Sequence, residues 1–232
     1  MTYQPWILKC QNEIIEPRKR VIENHPLTVG MLNGSVEKAH AEKFFSGLMW
    51  HLQDFGKHVS HLMNKRPPEA STLLANRSED TDGDTGVLKR IVNILGGNTE
   101  IIERSPYLHN PHPVWITHDA LLRSAIYSTD FPWQAGAAAL NSGIECLVPT
   151  MIEPLFIATT KRYGLTKEDA AWLDSRSGEA ERQHGENGWI LLNHFVKPDD
   201  FALQALCRFQ IDALSYSMAY RLLESGINRN TM

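Results

Sequence analysis

The stretch Thr166 to Phe195, TKEDAAWLDSRSGEAERQHGENGWILLNHF, decides the reading of this chain. Wound at about 100° per residue, a helix here carries Ala170, Leu173, Ser177, Glu181, His184, Gly188, Leu191, Leu192 and Phe195 on one face. That face is small and apolar except at Glu181 and His184, which are neighbours three residues apart. A helix buries its apolar stripe, so this carboxylate and this imidazole point inward. Burying either without a partner costs several kcal/mol. The pair must therefore meet each other, a third polar group, a ligand or a metal.

The third group lies upstream, in Trp133 to Gly164, WQAGAAALNSGIECLVPTMIEPLFIATTKRYG. Glu145 shares a helical face there with Ala138, Asn141, Ser142, Pro149, Ile152 and Phe156. Pro149 cannot donate the helical hydrogen bond to the carbonyl of Glu145, so a bend is expected beside the carboxylate. Two inward Glu and one inward His on successive helices predict a site around one internal cavity. The competing reading is a buried structural ion pair.

Composition is ordinary for a globule: of 232 residues 42% are hydrophobic and 22% charged, with a formal net charge of -4. Acids outnumber the scattered Lys and Arg, which argues against a nucleic-acid surface. No continuous apolar run approaches the ~18 residues of a membrane span, and the N-terminus lacks a signal-peptide core. Cys10, Cys146 and Cys207 have no metal spacing and point to a reduced, cytoplasmic compartment.

Helical periodicity recurs from end to end, predicting a single all-α domain over residues 1–232. Helices are expected over Tyr3 to Asn24 with an interruption at Pro17, over Val36 to Lys65 capped by Ser35, and over Glu69 to Asn76. Others follow over Gly86 to Leu95, Thr99 to Arg104, Thr117 to Ser128, and from Asp199 or Asp200 to Glu224. His25 to Gly34 reads as a connection, Arg77 to Gly86 as an acidic turn, and Pro106 to Pro113 as a loop. With no period-two alternation, strand should stay under ~5%.

Two further constellations read as bland. Asp54, His58 and His61 reach one side of the second long helix, a spacing able to hold zinc. They border the charged stripe, so a solvated face is expected, with less than ~1 kcal/mol lost on replacing both His by Ala. The acidic run Glu79, Asp80, Asp82, Asp84 lacks a calcium loop's closing glutamate, since Ile91 stands at that place.

With these residues in view, the chain resembles the haem-oxygenase-like helical superfamily of thiaminase-II (TenA), the quinone-synthesis oxidase PqqC and the CADD-like iron oxidases. His25-Pro26-Leu27 followed by Gly34 is similar to the family's "HPF…G" opening. Leu52-Gln53-Asp54-Phe55 resembles the thiaminase "QDY" element, whose Asp contacts substrate. Asp80-Thr81-Asp82-Gly83 resembles the PqqC "DHDG" turn, and Glu145 with Pro149 the "TE…P" element. The iron oxidases' H-x3-D-x2-H reads here as Ser177, Glu181, His184, and two more ligand positions fall on Thr81 and Leu88. Glu145, Glu181 and His184 are thus three of six ligand positions.

The resemblance implies a bundle of about seven main helices around a central pocket, assembled as a homodimer. It implies a small-molecule oxidoreductase acting with dioxygen, either with one iron on Glu145, Glu181 and His184 or with no cofactor. Asp54, Ser142 and Ser177 would contact substrate. The alternatives are a TenA-like thiaminase or C–N hydrolase, and a non-catalytic binding protein on a decayed metal site. The thiaminase cysteine is not matched: Leu140-Asn141-Ser142 stands near its place and Cys146 is out of register.

Overall fold

Prolines at first turns and glycines at last turns divide the chain into helices of unequal length. The computed structural model describes residues 2–70, 81–104 and 112–227, and no strand occurs among the described residues. Helix α1 runs from Pro5 to Glu23, with a π-wound segment over Cys10–Ile15. Pro17 does not interrupt it, because it falls in the first α-wound turn after that segment.

The expected connection after His25 is instead a helix, α2 (Pro26–Asn33). Pro26 stands in its first turn, His25 Nδ1 accepts from Leu27 N at 3.2 Å, and Gly34 closes it at φ 82. Start and stop signals were both present, but only two turns lie between them. The long α3 (Lys38–Lys65) starts after Glu37 rather than at Val36. Helix α4 (Thr81–Leu95) already covers the residues from Thr81 read as an acidic turn, and Gly96 ends it at φ 97. Most of Glu69 to Asn76, Arg77 to Asp80, and Pro106 to Pro111 lie outside the described residues.

After α5 (Thr99–Arg104), α6 (Pro113–Tyr127) is capped by His112, whose Nδ1 accepts from Val114 N. Thr117 is no cap; its hydroxyl donates to the Pro113 carbonyl one turn back. Helix α7 comprises Trp133–Ala137 and the π-wound Ala138–Glu145. A turn at Cys146 and Leu147 leads to α8 (Val148–Arg162), with Pro149 in its first turn. The expected bend is there, three residues ahead of the proline.

The Thr166 to Phe195 stretch is not one helix. Thr166 and Asp169 close a local turn, and α9 (Ala171–Ser177) and α10 (Glu179–Phe195) are separated by an extended Gly178. Asp200 then caps α11 (Phe201–Tyr220) through Leu203 N at 3.0 Å, and a 3-10 turn follows over Leu222–Gly226.

Helix α7 packs against both α10 and α11. Small residues permit this: a Cβ on Gly188 would stand 2.5 Å from Asn141 Cβ, and one on Gly185 3.0 Å from Cys146 Sγ. Gln4 holds α10 from the other side, its backbone N bonded to Asn193 Oδ1 at 2.9 Å and its side chain to the Val196 carbonyl at 2.8 Å. Trp133–Arg162 is long and apolar enough by composition to cross a membrane, although no continuous apolar run marks it. Here it is a bent core helix, with 56% of its most apolar window buried.

Candidate active site

Glu145 ends the π-wound part of α7, while Glu181 and His184 lie in the opening turns of α10. Close packing of α7 on α10 brings one ligand atom from each within 4.8 Å of the other two. Both carboxylates are buried, each 4% exposed. His184 Nδ1 lies 3.3 Å from Glu181 Oε2.

A fourth group completes this cluster. Arg176 of α9 donates from Nη1 to Glu181 Oε2 at 2.9 Å. The two are five residues apart, a spacing that a continuous helix would not bring together, and they meet because the chain bends at Gly178. Two buried carboxylates call for a cation, and Arg176 supplies one. The sequence reading missed it by running the helix through Gly178, although a glycine after Ser177 is a stop signal.

Glu145, Glu181 and Arg176 line a cavity of about 80 Å³ whose other walls are mainly apolar, including Leu48, Phe55, Ile144 and Met151. At roughly 15 Å³ per water this is space for about five waters. The residues expected to contact substrate do not line it. Asp54 faces outward, paired with Lys57 at 2.6 Å and Arg123 at 2.7 Å. Ser142 is buried against α10, where its Oγ is 3.1 Å from the Cβ position of Gly188. Ser177 donates to the carbonyl of Asp174.

The cavity instead carries two histidines that the sequence reading did not select, His51 and His118. They belong to a buried polar network between α3 and α6. His58 is fully buried rather than on a solvated face, with Nδ1 3.0 Å from the Tyr127 hydroxyl and Nε2 3.1 Å from Asp119 Oδ1. His51 Nδ1 lies 3.5 Å from the same Oδ1, and Arg123 donates to Oδ2. The solvated face expected for His58 is therefore corrected: its buried ring is held by Tyr127 and Asp119, and its removal should cost more than ~1 kcal/mol. His61, like Asp54, keeps an outer position, stacked on Tyr127. A signal existed, since Trp115, His118, Asp119, Leu122 and Ile126 form a helical stripe that buries the two polar residues with the apolar ones.

Burial by itself would raise the Asp119 pKa, but hydrogen bonds from His51, His58 and Arg123 outweigh it and hold the carboxyl well below its usual range. Loss of hydration, with a smaller effect from His51, pushes His118 well below 6.5. A base with a lowered folded pKa binds its proton more readily unfolded. Its stabilising contribution is present above about pH 6.5 and is lost as pH falls. Urea unfolding should show stability declining from about pH 6.5 toward pH 5, with a slope of up to ~1.4 kcal/mol per pH unit from this group. His118→Gln should flatten that decline; an unchanged slope would remove His118 as its source.

Glu145, Glu181 and His184 fit a single metal ion on their chemistry. Their ligand atoms lie within 4.8 Å of one another, close to the span of two ~2.2 Å bonds, so shifts of a few tenths of an ångström suffice. Two carboxylates and one imidazole are a hard, mixed donor set of the kind that suits non-haem iron.

No family model matches the sequence, and no curated protein matches it. Solved TenA-type structures share this all-α fold. A TenA homologue from Pseudomonas syringae pv. tomato is similar at TM-score 0.72 and 15% identity, over 97% of this chain and 93% of that one. A protein described as a TenA family transcription regulator, from a Silicibacter species, is similar at TM-score 0.70 and 14% identity, over 97% of each chain. At such identities the likeness is one of fold.

Proposed function

We propose that this chain is a cytoplasmic small-molecule oxidoreductase acting with dioxygen as a homodimer, with one iron held by Glu145, Glu181 and His184. The observation that carries this reading is the meeting of two buried carboxylates, which line a largely apolar cavity, with the half-buried His184 behind them. Iron(II) held by these three residues would supply electrons to dioxygen. Arg176 orients Glu181 and offsets one of the two carboxylate charges. The apolar walls limit water around the substrate. In the cofactor-independent form, with no metal on it, His184 beside Glu181 would take a proton from an electron-rich substrate.

The thiaminase or C–N hydrolase alternative is less well supported, because Asp54 faces away and Cys146 lines a separate outer pocket. Metal analysis of protein expressed with added iron, followed by dioxygen uptake, tests the proposal. About one iron per chain is expected, with affinity falling by about 100-fold or more in Glu145→Gln. Uptake without iron supports the cofactor-independent form. Neither iron nor uptake leaves the binding-protein alternative.

A further inference from the structure

We propose that the internal cavity is a chamber for dioxygen, roomy enough for a diatomic gas, closed to a ring, and bounded by the Glu145 and Glu181 pair. Its walls follow from helical period. On α3, Leu48, Leu52, Phe55 and Val59 recur every three or four residues, forming one stripe, and all four line the space. Met151 of α8 and Met218 of α11 add apolar surface from two other helices.

The polar lining groups fall into two clusters. Glu145 and Glu181 meet within 4.8 Å, and Arg176 donates to Glu181 at 2.9 Å. His51 and His118 form the other cluster, with ring centroids 5.1 Å apart. A buried water needs about two to four polar partners, and the side chains of the α3 stripe offer none. Dioxygen has no such bonds to give up, and it gains by leaving water for an apolar surface.

Size separates the two kinds of reactant. The cavity measures about 80 Å³, well below the ~150 Å³ of an apolar cavity that admits benzene. Space for about five waters is less than a six-membered ring requires, whereas a diatomic molecule fits. Because both carboxylates line the cavity, dioxygen held there lies beside two of the three residues read above as iron ligands. The inference thus names the reactant of the proposed oxidoreductase that fills the cavity. It rests on that reading for its use, but occupancy by dioxygen needs no metal, so the two can fail separately.

Methionine-methyl NMR of the metal-free full chain, under dioxygen pressure and under nitrogen, reads occupancy directly, because paramagnetic dioxygen broadens the methyl signals that it approaches. Met151 and Met218 line the cavity, while Met31 and Met49 are at least as deeply buried but do not. The signals of Met151 and Met218 should broaden selectively. Val59→Phe, which fills the space, should abolish the difference, and benzene should leave both signals unshifted. Should Val59→Phe fail to fold, the comparison of wild-type methyls and the benzene titration decide. Equal broadening of the four methyls, selective broadening that survives in Val59→Phe, or a shift of Met151 and Met218 on adding benzene overturns the inference. Iron binding by the same preparation reports separately on the metal site.

Discussion

Asp119→Ala should destabilise the protein by about 3–5 kcal/mol, the range for breaking a buried charged pair by removing one partner. Asp119 is 6% exposed and gathers His51, His58 and Arg123 around one carboxylate. Its removal leaves His58, itself fully buried, without an acceptor at Nε2, and deprives Arg123 of its more buried partner. Asp119→Asn keeps the shape and one accepting oxygen, so it should cost less. Urea unfolding at pH 7 measures both. A loss below ~1 kcal/mol for Ala would mean that the network is solvated and contributes little.

Gly188→Ala should cost up to about 2 kcal/mol net and also disturb the site. The added methyl would meet Asn141 Cβ at 2.5 Å and the Asn141 carbonyl carbon at 3.3 Å, atoms fixed to the α7 backbone. Neither can rotate aside, so α10 must move relative to α7. Overpacking of this kind costs typically ~1–3 kcal/mol, against about 1 kcal/mol gained from replacing a helical glycine. Because Glu181 and His184 ride on α10 and Glu145 on α7, the same displacement separates the three donor groups. Denaturation should report the loss of stability, and iron titration a weaker affinity. A variant as stable as the parent with unchanged affinity would show that α10 tolerates the methyl in place.

The sequence disclosed the inward faces better than the helix ends. The stripes through Glu145 and through Glu181 and His184 could be read because burial follows helical period wherever small and apolar residues flank a polar one. What escaped depended on backbone breaks and on contacts between distant helices. Gly178 turns α9 so that Arg176, rather than Ser177, faces the carboxylates. His58 sits beside a charged stripe on its own helix, yet α6 covers it with Asp119 and Tyr127. Asp54 illustrates the converse: its match to a family motif suggested substrate contact, but Lys57 and Arg123 hold it outside the cavity. A single-helix wheel cannot anticipate the partner helix.

Thermal unfolding of the parent and of Glu145→Gln, each with and without anaerobic iron(II), tests the central claim most directly. A ligand at 100 times its Kd stabilises the folded state by ~2.7 kcal/mol, so iron should raise the parent's unfolding temperature by several degrees. Glu145→Gln keeps the side-chain shape and removes one buried negative charge. It should unfold at or above the parent's temperature in metal-free buffer and show no shift with iron. A variant that unfolds several degrees lower without metal, or one that gains as much from iron as the parent, would contradict the account and identify Glu145 as a structural ion-pair partner.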